Sequence, residues 1–167
     1  MSNSKLAIAG VVVLGFTAFQ AAAALSNTDR DFVQKAASGG MAEVELGQLA
    51  QNNATSQLIK EFGQRMVTDH GQANMELQRI AQNGNFTLPT RPDSKSEAIR
   101  RQLSGLQGSA FDTAYTQSML SDHQEDIAEF QKEAQSGEDP ALKAFAQKTL
   151  PVLQHHLQMA QAMHSAK

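Results

Sequence analysis

Two segments of the chain, 62–84 and 115–137, repeat each other without a gap at an offset of 53 residues. Nine of the 23 aligned positions are identical, and the centre of the match is Met-x-x-Asp-His, once as Met66 to His70 and once as Met119 to His123. On a helix, a Met four residues before a His lies one turn away on the same face. A third histidine, His156, and an acid, Glu43, fall on the inward stripes of two further helical segments. Imidazole nitrogen suits zinc, copper, iron or nickel, so three histidines and one carboxylate meeting in an interior would make a mononuclear transition-metal site. Glu43, His70, His123 and His156 are the expected metal ligands, with Cu, Zn or Fe as the candidate ions. Asp69 and Asp122 cannot aim at the same ion as the histidines beside them, because neighbouring side chains diverge by about 100° around a helix. They are expected to orient a ligand from behind, to replace one, or to face water. The thioethers of Met66, Met119 and Met159 are alternative ligands that would favour copper, and otherwise core filler. His155 and His164 read as peripheral.

Such a site needs four helices to carry it. The first should start near Ser26 or Thr28, where Thr28-Asp29-Arg30-Asp31 resembles a capping box, and run to about Gln51 with Phe32, Ala36, Glu43, Leu46 and Ala50 inward. Gly39-Gly40 inside it points to close packing against a neighbour. The second spans about Ser56 to Gln82, with Ile59, Phe62, Met66, His70, Ala73, Leu77 and Ile80 on one stripe. Asn83-Gly84-Asn85 ends it with residues tolerant of left-handed backbone. A polar connection with Pro89 and Pro92 leads to a short amphipathic stretch, Ser96 to Leu106. The third long helix covers about Ser109 to Gln135, with Phe111, Tyr115, Met119, His123, Ile127 and Phe130 inward. After Ser136-Gly137-Glu138 the fourth opens on Asp139 as N-cap and Pro140 in the first turn. Its stripe is Leu142, Phe145, Thr149, Val152, His156, Met159 and Met163. Pro151 within it removes a hydrogen bond to the Gln147 carbonyl and predicts a kink.

Four amphipathic helices cannot bury their stripes singly, so the expected fold is an all-α four-helix bundle. The first and last pairs are joined by short turns and run antiparallel. The connection between the second and third is about 25 residues long, enough to cross the bundle and leave those two helices parallel, the ferritin-like arrangement with one long crossover. At about 1.5 Å per residue, His70, His123 and His156 then reach nearly the same height. Glu43 lies somewhat off that level but leans toward it, as side chains lean toward their helix N-terminus.

Composition narrows the chemistry further. The 167 residues include no cysteine, which removes disulfides, thiolate-ligated metals and thiol catalysis. Fourteen basic against seventeen acidic side chains, with no basic block, argue against nucleic acid as a partner. Residues 1–24 carry Lys5, an apolar run from Leu6 to Phe19 and the small residues Ala21 to Ala24, the three-part pattern of a cleaved signal peptide. The run is short for a transmembrane anchor. The mature domain, 25–167, shows no second run of spanning length. An exported bundle with a periplasmic or outer-membrane-associated location is expected.

The segments Ala42-Glu43-Val44-Glu45-Leu46-Gly47, Met66-Val67-Thr68-Asp69-His70, Phe111-Asp112 to Tyr115, Met119-Leu120-Ser121-Asp122-His123 and Thr149-Leu150-Pro151 to His156 resemble the bacterial "domain of unknown function 4142" family. The resemblance covers about residues 27–163. It implies an exported ferritin-like bundle, often labelled an outer-membrane protein, and it implies no activity. It places Glu43 rather than Glu45, and His156 rather than His155, on the family's recurring positions.

Di-iron bundles use two Glu and two Glu-x-x-His motifs. Neither His70 nor His156 here has an acid three residues before it. A bridged di-iron oxidase is therefore the weakest expectation, and no catalytic residue is assigned. Two readings stay open: a metal-binding bundle of the cell envelope, and a non-catalytic structural or interaction module whose polar centre only fixes helix register.

Overall fold

The computed structural model describes residues 25–165, so the expected signal peptide at 1–24 lies outside the described residues. Five helices follow in order: α1 (Asn27–Asn53), α2 (Gln57–Gly84), α3 (Ser94–Ser104), α4 (Gly108–Ser136) and α5 (Pro140–Ser165). Among the described residues there is no strand, and no helix is long and apolar enough to cross a membrane. The four long helices form the bundle. The short helix α3 lies within the crossover and packs on α1 and α4.

Two apolar layers set the direction of each rod. One joins Leu46 and Ala50 near the end of α1, Phe62 and Met66 near the start of α2, Phe111 and Tyr115 near the start of α4, and Ala160 and Met163 near the end of α5. The other joins Phe32 and Val33, Leu77, Phe130, and Leu142 and Phe145 from the opposite ends of the same helices. Helices α2 and α4 therefore run parallel to each other and antiparallel to α1 and α5, as the long crossover requires. The α1 helix packs beside α2 and α4, and α5 packs beside the same two.

Helix starts are fixed partly from a distance. The capping box of α1 forms between Ser26 and Asp29, not at Thr28. Asp29 also accepts from the backbone N–H of Glu138 at 2.9 Å and of Asp139 at 3.3 Å, so the start of α1 ties down the α4–α5 turn. At the other end of the bundle, Asp112 of α4 accepts from the N–H of Thr55 and of Ser56, both at 3.0 Å, and caps α2 where Ser56 does not. Asp139 caps α5 as expected, accepting from Ala141 and Leu142.

Helix α1 approaches α2 closely at Gly47 and Gly63. A Cβ on Gly63 would lie 2.7 Å from the Gly47 carbonyl oxygen and 2.7 Å from Ala50 Cβ. Of the Gly39-Gly40 pair, only Gly40 is pressed, by the Asn74 side chain, whereas a Cβ on Gly39 meets nothing closer than Asp126 Oδ1 at 3.7 Å. On α5 the inward phase differs by one residue from expectation. Leu153 is buried and Val152 is 39% exposed, because the stripe runs Phe145, Ala146, Leu153, His156, Ala160 and Met163. The helix is continuous through Pro151.

Candidate metal centre

Between the two apolar layers lies a polar layer with one residue from each long helix: Glu43 of α1, His70 of α2, His123 of α4 and His156 of α5. All four are at most 5% exposed. The three imidazole rings stand 5.3–5.8 Å apart, centre to centre. Phe62 lies against the layer, with its ring centre 6.1 Å from that of His123 and 6.2 Å from that of His156.

Each imidazole has one nitrogen tied to an acceptor. His70 Nδ1 lies 2.8 Å from Glu43 Oε2. His156 Nε2 lies 2.8 Å from Asp69 Oδ2. His123 Nδ1 lies 3.0 Å from the Met119 carbonyl oxygen, which can only accept. In the neutral form of such a ring the tied nitrogen carries the proton and the other presents a lone pair. Those other nitrogens, His70 Nε2, His123 Nε2 and His156 Nδ1, are buried and have no hydrogen-bond partner. One ring nitrogen from each of the three histidines lies within 4.8 Å of the others.

The electrostatics oppose charge on His123 and His156 and keep the acid ionised. Burial pushes His123 down, and it pushes His156 down to about 4 against the opposing pull of its Asp69 bond. Burial works against the charge on Glu43, but the surrounding imidazoles, led by His70, hold its carboxyl at about 2. Its second oxygen, Oε1, is buried without a hydrogen-bond partner and lies 3.4 Å from His123 Nε2. A lone pair facing a carboxylate oxygen inside a protein is unfavourable unless a proton or a cation stands between them. The Tyr115 hydroxyl is a further buried group without a partner, and burial pushes its pKa up.

The remaining expected residues divide by helix face. Asp69 turns away from its neighbour His70 and reaches across to His156 on α5. Asp122, its counterpart in the repeat, faces a cleft lined by α1, where Glu43 stands in place of an imidazole. Burial and then Glu43 push Asp122 up to about 6. Met66 and Met119 are fully buried in the apolar layer beside the site, and Met159 packs against the same layer. His155 and His164 are exposed.

Sequence spacing missed Asp126. It lines the same cleft as Asp122 and Glu43, and burial and Glu43 push its carboxyl well above the usual range. Its place three residues after His123, on the same helix face, was the available signal.

A model of the family described as "Domain of unknown function (DUF4142)" matches residues 15–163. No curated protein matches the chain. Solved structures similar in fold include two DUF305 proteins. A DUF305 fragment from Deinococcus radiodurans superposes with a TM-score of 0.75 at 10% identity, over 86% of this chain and 99% of that one. A DUF305 protein from Streptomyces coelicolor superposes with a TM-score of 0.68 at 11% identity, over 80% of this chain and 88% of that one.

Proposed function

The chain belongs to the DUF4142 family, and we propose that it is an exported bundle that binds one transition-metal ion through His70, His123, His156 and Glu43. The observation that carries this reading is the set of three buried ring nitrogens without partners, each on a ring whose other nitrogen is held by an acceptor. Burying three such acceptors costs free energy unless something binds them. Metal-bound histidines characteristically give their second nitrogen to a carboxylate or a carbonyl, as all three do here.

The donor set fits a borderline ion. Metal–nitrogen bonds of about 2.0–2.1 Å in tetrahedral geometry put ligand atoms about 3.3–3.4 Å apart. Glu43 Oε1 and His123 Nε2 already have that separation, at 3.4 Å. Imidazole with a single carboxylate favours copper(II) or zinc over iron. A bound ion of this kind could accept a substrate or be stored, buffered or sensed. Storage or buffering suits the site best, because the layer is closed above and below by Phe62, Met66 and Met119 on one side and Phe130 and Leu153 on the other.

The test is metal titration of the chain lacking residues 1–24, stripped with chelator and offered Cu(II), Zn(II) and Fe(II) in turn. One equivalent should bind near neutral pH, and His123→Ala should abolish it. Absence of stoichiometric binding by every ion would leave the polar layer as a device for helix register. In that case His70→Leu with His123→Leu should leave stability equal or raised.

A further inference from the structure

A cleft of about 420 Å³ opens between α1, the start of α3 and α4, and Asp122, Asp126 and Glu43 lie along it. On the inner side of the same residues is a void of about 10 Å³, lined by Glu43, His70 and Asp126 together with Asn74 and Thr149. Glu43 and Asp126 line both spaces, so they form the partition between the open cleft and the histidine layer. A volume of that size is about what one water molecule occupies.

The charges along the cleft are sorted. The two lysines lining it are already paired, Lys35 with Glu129 and Lys95 with Glu125. Among the described residues, no basic side chain comes within ion-pair distance of Asp122 or Asp126. Glu43 turns its buried Oε1, which has no hydrogen-bond partner, toward His123 Nε2 at 3.4 Å, on the histidine side of the partition. The opposite face of the bundle differs, since there the equivalent aspartate, Asp69, is bonded to His156.

We infer that the acidic cleft is the route by which a hydrated divalent cation reaches the histidines, with Asp122 capturing it and the Asp126–Glu43 partition handing it inward. This inference rests on the metal-binding reading and adds the path to it. Carboxylates along a narrow, low-dielectric cleft concentrate cations and raise their association rate. Ligand exchange from oxygen to oxygen to nitrogen would let the ion shed water stepwise rather than all at once.

Gly39 provides the test, because it lines the cleft and a Cβ there has ordinary contacts. Gly39→Leu plugs the route without altering a charge or a ligand. The probe is Co(II), whose visible absorption reports nitrogen ligation, mixed with the chelator-stripped chain in a stopped-flow cell. Gly39→Leu should slow loading and chelator-driven release by tenfold or more, with the dissociation constant unchanged within twofold. Asp122→Asn should slow loading several-fold at low salt, and the deficit should shrink at high salt. Circular dichroism establishes that both variants are folded. Unchanged loading by folded Gly39→Leu overturns the route while leaving the metal site intact. A wild-type chain that takes up no Co(II), Cu(II) or Zn(II) overturns the metal site and the route together.

Discussion

Asp69 Oδ2 accepts a hydrogen bond from His156 Nε2 at 2.8 Å, linking α2 to α5 across 87 residues of sequence. The bond fixes which nitrogen of His156 carries the proton and leaves Nδ1 facing the other two rings. Asp69 thereby acts on a partner that no local motif connects to it.

Asp69→Asn should weaken metal binding about 10–100-fold, the usual effect of removing an acceptor behind a histidine ligand. Competition against a chromophoric chelator measures it. Affinity equal to wild type would show that the bond does not set the ligand's tautomer.

Glu43 allows charge and hydrogen bonding to be separated. Glu43→Gln keeps an acceptor for the His70 N–H and should lower metal affinity while leaving the metal-free fold close to wild type. Glu43→Ala leaves that N–H buried and unpaired, and should cost about 1–3 kcal/mol of metal-free stability. Urea unfolding of both variants without metal distinguishes them.

Glu133 governs a pH effect far from the metal layer. It is fully buried. Burial first, and Asp29 beside it, push its carboxyl up to about 7 from an ordinary 4.5. Between those two values the folded chain keeps a proton that the unfolded chain has released, so stability falls as pH rises through that window. Asp29 has the opposite sign. Burial opposes its charge, but Ser26 and the N–H groups of Glu138 and Asp139 hold its pKa below the ordinary 3.8. Its contribution is therefore lost only as the pH falls below that range. Glu133→Gln should flatten the decline between about pH 4.5 and 7 relative to wild type, read from urea unfolding at each pH. An unchanged slope would rule Glu133 out as the source.

The Gly47–Gly63 crossing makes a steric prediction. Gly63→Ala would put a Cβ 2.7 Å from both the Gly47 carbonyl oxygen and Ala50 Cβ. Helices α1 and α2 would have to move apart, at a cost of about 1–3 kcal/mol. The midpoint of urea unfolding checks it, and a variant as stable as wild type would show that the crossing relaxes freely.

Much of the architecture could be read from periodicity alone. The stripes, the caps at Asp139 and Asn85, and the long crossover are consequences of spacing within single segments, where 3.6 residues per turn fixes which side chains share a face. The same spacing placed Glu43, His70, His123 and His156 on inward faces, and the structure brings them into one layer. Val152 was misassigned because Val152 and Leu153 are adjacent and both apolar. Rotation of α5 by about 100° exchanges which of them is buried, and only packing against α2 and α4 sets that rotation.

The sequence by itself determined four amphipathic rods, their relative directions, and the repeat that puts matching histidines at matching heights on α2 and α4. Those features depend on helix geometry and connection length, both local. Only the tertiary structure decided that Asp69 serves His156 while its repeat partner Asp122 faces the cleft beside Glu43. It also decided that Asp126 joins them, that Asp112 caps a helix start more than 50 residues away and that Asp29 ties down the α4–α5 turn. The physical reason is that a side chain's partner across a bundle depends on how each rod is turned about its own axis. That angle is settled collectively by close packing of all four helices, not by any one of them.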